Sequence, residues 1–247
     1  MNTNPTTGLI MPKCGIIIPV YNSPDHLDVL LERTSAIADQ LQNWQISLLI
    51  VDDGSSPALG SESGSAAMDV AQIRHETNRG KGAALKTGFA HFLKNPEITA
   101  VLTMDADLQH PPERIPALLA AFKQGRGEVV VGCRKRDPGV MPFHRILSNA
   151  ITTKIISLMI RQNVCDSQCG FRLYSRKVLE KIDLQENRFH LESEFLIRCG
   201  WMDFKIAHIE IPTIYNNAPS AIRNLPDTLN FIAVILKLSM KRIRGHV

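Results

Sequence analysis

Asp105 and Asp107, in the run Thr103-Met104-Asp105-Ala106-Asp107-Leu108-Gln109-His110, are the side chains of this sequence best placed to do chemistry. An apolar, β-branched run starting at Ile98 precedes them, and Pro111-Pro112-Glu113 opens a helical pattern after them. They therefore sit where a strand gives way to a loop. In extended backbone a spacing of two sends both carboxylates, and Gln109 after them, to one side. Such an oxygen cluster suits Mg²⁺ or Mn²⁺, which take one or two carboxylates and complete their shell with substrate phosphates. The plainer reading is a pair of loop carboxylates at a helix start. Asp105, Asp107 and Gln109 are thus the candidate metal ligands, and the rest of the chain has to decide between the two readings.

The elements around them alternate. Apolar strand patterns cover residues 14–19, 46–51, 70–75, the run from 98, 128–133, 171–174 and 204–211. Helical spacing covers 24–41, 81–93, 112–123, 176–182, 190–199 and 225–242, and an apolar-rich amphipathic stretch runs from 143 to 164. The pattern predicts one α/β domain over 1–247: a mostly parallel sheet, helices on both faces, and amphipathic helices at the C-terminal end. Residues 1–12 are expected to be flexible, and 59–67, rich in Ser and Gly, to be loop. Ligands of such sheets bind at the carboxyl ends of the strands. Tyr21-Asn22, Asp52-Asp53, Asp105–Gln109 and Gly132–Arg134 all fall there.

Bulk properties set the frame. The 247 residues are 44% hydrophobic and 21% charged, with a net charge of +4. That composition is ordinary for a globular domain with a sizeable core. Arg134, Lys135, Arg136, Arg145, Lys154 and Arg161 cluster mid-chain, and Lys237, Lys241, Arg242 and Arg244 lie near the end. Such patches suit phosphates or an anionic membrane surface, or are simply solvated. The five cysteines are scattered, with no zinc-ligand spacing. They are expected to be reduced thiols of a cytoplasmic protein. Residues 1–12 do not resemble a secretory leader. No apolar run reaches the ~18 residues of a spanning helix.

Six segments carry a resemblance: Ile17-Ile-Pro-Val-Tyr-Asn22, Val51-Asp-Asp-Gly-Ser55, Asn78-Arg-Gly-Lys-Gly-Ala-Ala84, Met104-Asp-Ala-Asp-Leu-Gln-His-Pro-Pro112, Gly132-Cys-Arg134 and Asp166-Ser-Gln-Cys-Gly-Phe-Arg172. In this order they resemble family-2 glycosyltransferases, in particular the branch of dolichol-phosphate mannosyltransferase and bacterial polyprenyl-phosphate glycosyltransferases. The resemblance covers residues 14 to 215. It implies a Rossmann-like GT-A fold and a metal-dependent, inverting transfer of a hexose from a nucleotide-sugar (GDP-mannose or a UDP-sugar) to a polyprenyl or other lipid monophosphate. The cofactor implied is Mg²⁺ or Mn²⁺. The setting implied is the cytoplasmic membrane surface, reached peripherally or through a membrane partner, with no nucleic acid expected.

The resemblance also implies roles, each with a plainer alternative. Pro19, Tyr21 and Asn22 would wall the base pocket, and Asp52 would read the base edge, though Asp-Gly is also a common turn pair. Asp53 would lie near the ribose or diphosphate. Gly80 and Lys81, at a helix start, would lie beside the diphosphate with Asp105 and Ala106. Arg134 and Arg145 would orient the acceptor phosphate, with Asp166, Arg172 and Ser220 near the acceptor. Arg172 could equally be a structural ion-pair residue. Ile151, Ile155 and Leu158 would face a lipid tail. Glu192 and Glu194 are candidates for sugar hydroxyls or are surface carboxylates. Many relatives carry an Arg followed by Gly-Glu-Ser after the last strand. Here Tyr215-Asn-Asn-Ala-Pro-Ser-Ala-Ile-Arg223 matches only the Ser, leaving that phosphate contact to Arg223 or Lys205. Two alternatives remain at this level: a hydroxyl acceptor, with Asp166 or Glu192 as base, and a catalytically silent nucleotide-sugar-binding subunit.

Overall fold

The structure, a computed structural model, describes residues 11–23, 25–60, 68–135, 139, 141–188, 190–214, 231, 235 and 238–240. Seven strands form one sheet: β1 (Lys13–Val20), β2 (Gln45–Asp52), β3 (Met68–Arg74), β4 (Ile98–Thr103), β5 (Val129–Arg134), β6 (Arg172–Ser175) and β7 (Ile206–Ile211). Their spatial order is β3-β2-β1-β4-β6-β5-β7. The pairs β1–β2, β1–β4, β2–β3 and β5–β7 are parallel. Strand β6 runs antiparallel between β4 and β5. The predicted, mostly parallel sheet is present, with one reversed strand inserted where the chain returns from the 143–171 segment.

The central strands read as unbroken apolar runs because both faces are covered. Ile16, Ile17 and Ile18 are all fully buried, pointing to alternate sides. One face carries α1 (Leu27–Gln40) and α3 (Ile115–Lys123), which pack Leu30 and Leu118 against Ile16, Ile18 and Leu102. The other face carries α2 (Lys81–Leu93), α4 (Phe143–Ile160), α5 (Arg176–Lys181) and α6 (Leu191–Trp201). There Phe89, Ile156, Val178 and Phe195 meet Ile17, Val101 and Val131. The helix expected over 112–123 is divided, with a 3₁₀ turn at Pro112–Arg114 ahead of α3. Of the expected C-terminal helix, the described residues Phe231, Ile235 and Leu238 pack on this second core. Ser239 and Met240 are also described; the other residues of that expected helix, with Ser220 and Arg223, lie outside the described residues.

Helix α2 positions the helix start that matters for the site, and two glycines set its height above the sheet. A Cβ on Gly88 would stand 2.6 Å from Ile17 Cδ1, and one on Gly15 2.6 Å from the Phe92 ring. Each glycine admits a large side chain from the opposite element. Gly88→Ala is expected to force α2 off β1 and to cost about 1–3 kcal/mol by overpacking. A urea melt checks this; an unchanged midpoint would show that the helix has room to spare.

Candidate active site

The loop after β4 is folded back on itself by its own side chains. Asp107 Oδ1 accepts the Gln109 N–H at 3.0 Å. His110 Nδ1 accepts the Asp105 N–H at 2.9 Å. Between them Leu108 holds φ +62°, a left-handed conformation that a non-glycine residue adopts at a cost. The His110 ring is buried, stacks on Phe171 with centroids 5.4 Å apart, and has Nε2 3.8 Å from Cys169 Sγ. Burial, with help from the Lys81 and Arg134 charges, holds the imidazole below its ordinary pKa. Burial also pushes the Cys169 thiol up to about 12.

Asp105 meets residues from two distant helices. Lys81 Nζ, in the first turn of α2, lies 2.7 Å from Asp105 Oδ1 and 2.9 Å from Glu192 Oε1, in the first turn of α6. Gly170 admits this cluster: a Cβ there would stand 2.7 Å from Glu192 Oε1 and 3.0 Å from Lys81 Nζ. Burial alone would lower the Lys81 pKa, but the two carboxylates raise it. Burial alone would raise Asp105, but the Lys81 charge, then His110 and Arg134, bring it down to about 2.

Arg134, at the end of β5, completes the cluster. It holds Asp166 by two bonds, Nε to Oδ2 at 2.7 Å and an Nη to Oδ1 at 3.1 Å. Asp166 is buried and also accepts from Asn149 Nδ2 and from the N–H groups of Gln168 and Cys169. Burial would raise its carboxyl, but Arg134 and these bonds hold it below the ordinary range. The neighbouring Cys133 and Cys165 are joined as a disulfide, with Cα atoms 5.8 Å apart. The expectation of five reduced thiols is corrected for these two, because strand end and loop are brought side by side. Cys14, Cys169 and Cys199 are unpaired and buried.

On the β1–β2 side a cleft of about 390 Å³ is lined by Asn22, Leu27, Ser55, Pro57, Leu59 and Gly60. Tyr21 is half-exposed beside it in sequence, and Pro19 is partly buried. Asp52 is fully buried: Oδ1 accepts the Ser55 N–H at 2.8 Å and Oδ2 pairs with Arg74 at 2.6 Å. The exposed member of that pair is Arg74, which the sequence reading missed; it ends a strand whose pairing with β2 only the register reveals.

Asp52 and Asp166, expected at the base and near the acceptor, are thus buried with both carboxylate oxygens engaged inside the protein, and three more expectations meet a different geometry. Asp53 is buried; it accepts the His75 Nδ1–H at 2.6 Å and the N–H groups of Arg79 and Gly80 at 3.0 and 2.7 Å. It clamps the segment that leads into Lys81. Arg172 is fully buried and donates to the carbonyls of Cys169, Ser167 and Glu192, so it holds the 166–170 loop from behind and presents no surface to an acceptor. Glu194 is fully buried, paired with Arg198 and accepting the N–H groups of Gln185 and Glu186, so it is no sugar-hydroxyl ligand. The segment it fixes supplies the Asn187 carbonyl that takes the Ala83 N–H at the start of α2, and a Cβ on Gly80 would meet that same oxygen at 2.6 Å. That amide is therefore already used inside the protein.

Residues 15–183 match the description of glycosyl transferase family 2. The chain belongs to glycosyl transferase family 2. Among curated relatives, the undecaprenyl-phosphate 4-deoxy-4-formamido-L-arabinose transferases of Salmonella enteritidis PT4 and Salmonella gallinarum are 33% identical over 193 residues, 74% of this chain and 54% of theirs. This glycosyltransferase chain thus spans about half the length of the curated relatives it matches. Among solved structures, mannosyl-3-phosphoglycerate synthase from Rubrobacter xylanophilus shares 14% identity at TM-score 0.70, over 95% of this chain and 74% of that one. Glucosyl-3-phosphoglycerate synthase from Mycobacterium tuberculosis, solved with Mn²⁺, UDP and its product, shares 18% identity at TM-score 0.62, over 92% of this chain and 79% of that one. The fold of the glycosyltransferase is GT-A.

The Lys81 cluster makes a direct prediction. The depressed Asp105 carboxyl stabilises the fold above its ordinary value of 3.8, and that contribution is lost as pH falls from there through about 2. Lys81→Met removes the counter-charge from two adjoining carboxylates, of which Asp105 is partly exposed. It is expected to cost about 2–3 kcal/mol at neutral pH, with the deficit closing in acid. Urea melts at stepped pH test this, and a constant deficit across the range would refute the charge argument.

Proposed function

We propose that this glycosyltransferase moves a sugar from a nucleotide-sugar to a polyprenyl monophosphate, with inversion at the anomeric carbon. The observation that carries the reading is the state of the two candidate bases. Asp166 is buried under Arg134, Asn149 and two backbone amides, and Glu192 is paired with Lys81. A hydroxyl acceptor needs a base to take its proton, and both candidates are committed elsewhere. A phosphate oxygen is already a nucleophile near neutrality, its second pKa lying near ~6, and needs only orientation. The curated relatives are named as undecaprenyl-phosphate transferases, which agrees with that acceptor class. Their sugar, by name, is a substituted arabinose rather than a hexose.

The donor set fits a divalent metal. Asp105, Asp107 and Gln109 offer hard oxygen ligands on one tight loop. That arrangement suits Mg²⁺ or Mn²⁺, which leave positions open for diphosphate oxygens. When bound, the metal supplies charge to the departing diphosphate. Lys81, fixed beside Asp105, adds a second positive charge on the same side. Arg134, held rigid by Asp166, and Arg145, in the first turn of α4, orient the acceptor phosphate. The nucleoside occupies the cleft by Asn22 and Ser55, with Arg74 and Tyr21 at the base.

The acceptor tail and the membrane lie along α4. Phe143, Leu147, Ile151 and Leu158 are exposed at intervals of four and seven, an apolar stripe that Lys154 interrupts and Arg161 follows. Ile155, expected on that face, packs partly into the core. Among the described residues no helix is long and apolar enough to cross a membrane. The stripe suits contact with the cytoplasmic surface of a bilayer, where its basic residues meet anionic headgroups.

Two measurements test this reading. Nucleoside diphosphate should raise the melting temperature only with Mg²⁺ or Mn²⁺ present. Asp107→Ala should erase that shift and slow transfer at least ~10²-fold; equal shifts with and without metal would make the carboxylates helix caps. In a radiolabelled-sugar assay, polyprenyl phosphate should accept sugar and the free alcohol should not. Arg145→Ala should lower transfer roughly ten- to a hundredfold with little change in donor affinity. Transfer to the alcohol at the same rate would favour a hydroxyl acceptor.

A further inference from the structure

We infer that His110 is the positioning residue of the metal loop, and that it acts through a single acceptor atom, Nδ1. The inference rests on the proposed metal role of Asp105 and Asp107. The loop between those residues and His110 is held against its own preference, since Leu108 takes φ +62°. A leucine in that conformation returns to ordinary backbone unless surrounding bonds over-determine it. Two such bonds are present. Asp107 Oδ1 takes the Gln109 N–H inside the turn, and His110 Nδ1 takes the Asp105 N–H across it. The second bond closes the loop and fixes the backbone of Asp105 itself.

The ring can do this because it is immobilised from outside the loop. It is buried, stacked at 14° on Phe171, with Nε2 3.8 Å from Cys169 Sγ. Phe171 and Cys169 belong to the segment that follows Asp166, the partner of Arg134. An amide N–H is donated to Nδ1, so the proton must sit on Nε2, which then donates to the sulfur. One imidazole in one tautomer thus joins the metal loop to the loop that orients Arg134. Donor and acceptor halves of the site share a single rigid reference.

Two substitutions separate this role from mere packing. His110→Asn places an amide oxygen close to where Nδ1 stands but gives up the ring stack. His110→Phe keeps the ring stack and has no acceptor. The inference expects Mn²⁺ affinity, read by electron paramagnetic resonance in the presence of UDP or GDP, to fall about tenfold or more in the Phe variant. The Asn variant should recover most of it, even if it melts earlier. In ¹⁵N-histidine spectra of the metal-free protein, His110 should show an unprotonated Nδ1 and a protonated Nε2. Phe binding Mn²⁺ as well as wild type, Asn binding worse than Phe, or the opposite tautomer would each overturn the inference. Wild-type protein that binds no Mn²⁺ would overturn the metal reading as well, an outcome distinct from the other three.

Discussion

The ammonium of Lys81 is the point on which the rest of the site depends. It stands between Asp105 and Glu192, at 2.7 and 2.9 Å, and so ties the first turn of α2 to the loop after β4 and the first turn of α6. Without it two carboxylates would crowd a space from which Gly170 has removed even a methyl group. Each element brought there needs its own support. Gly15 and Gly88 let α2 lie low enough on β1, Asp53 fixes the backbone before Lys81, and Arg172 anchors the 166–170 segment beneath. A buried charge is tolerable only when fully paired, and this pairing draws partners from across the chain.

How much of this was legible in the sequence differs by level. The strands were, because both-face burial leaves unbroken apolar runs such as Ile16-Ile17-Ile18. The clustering at strand ends was too, since strand-to-loop boundaries placed Asp52, Asp105 and Arg134 on one edge of a parallel sheet. The direction of β6 was not, because four buried residues carry no sign of orientation. Nor was the division of labour among the acids. Asp52, Asp53, Asp166 and Glu194 each look available in sequence, yet each is spent on backbone amides and a basic partner. Those partners, Arg74, His75, Arg134 and Arg198, are found by register and packing. Only Arg198, one helical turn from Glu194, lies at a spacing that sequence could have offered.

This use of acids has a common physical basis. Loops at the ends of parallel strands carry amides that no ladder satisfies, and a buried amide without a partner is expensive. A carboxylate can accept from several at once. Asp53 takes two amides and a histidine, and Asp166 takes two amides, an asparagine and an arginine. The loops are thereby fixed before any ligand arrives, so little ordering remains to oppose binding.

Helix α4 has two unlike sides. Outward it shows Phe143, Leu147, Ile151 and Leu158; inward, Asn149 donates to Asp166 and Thr153 bonds Ser167. Asp166 in turn grips Arg134. The exposed apolar side and the guanidinium are thus joined through one helix and two hydrogen-bonded contacts, so a shift of α4 would be felt at Arg134.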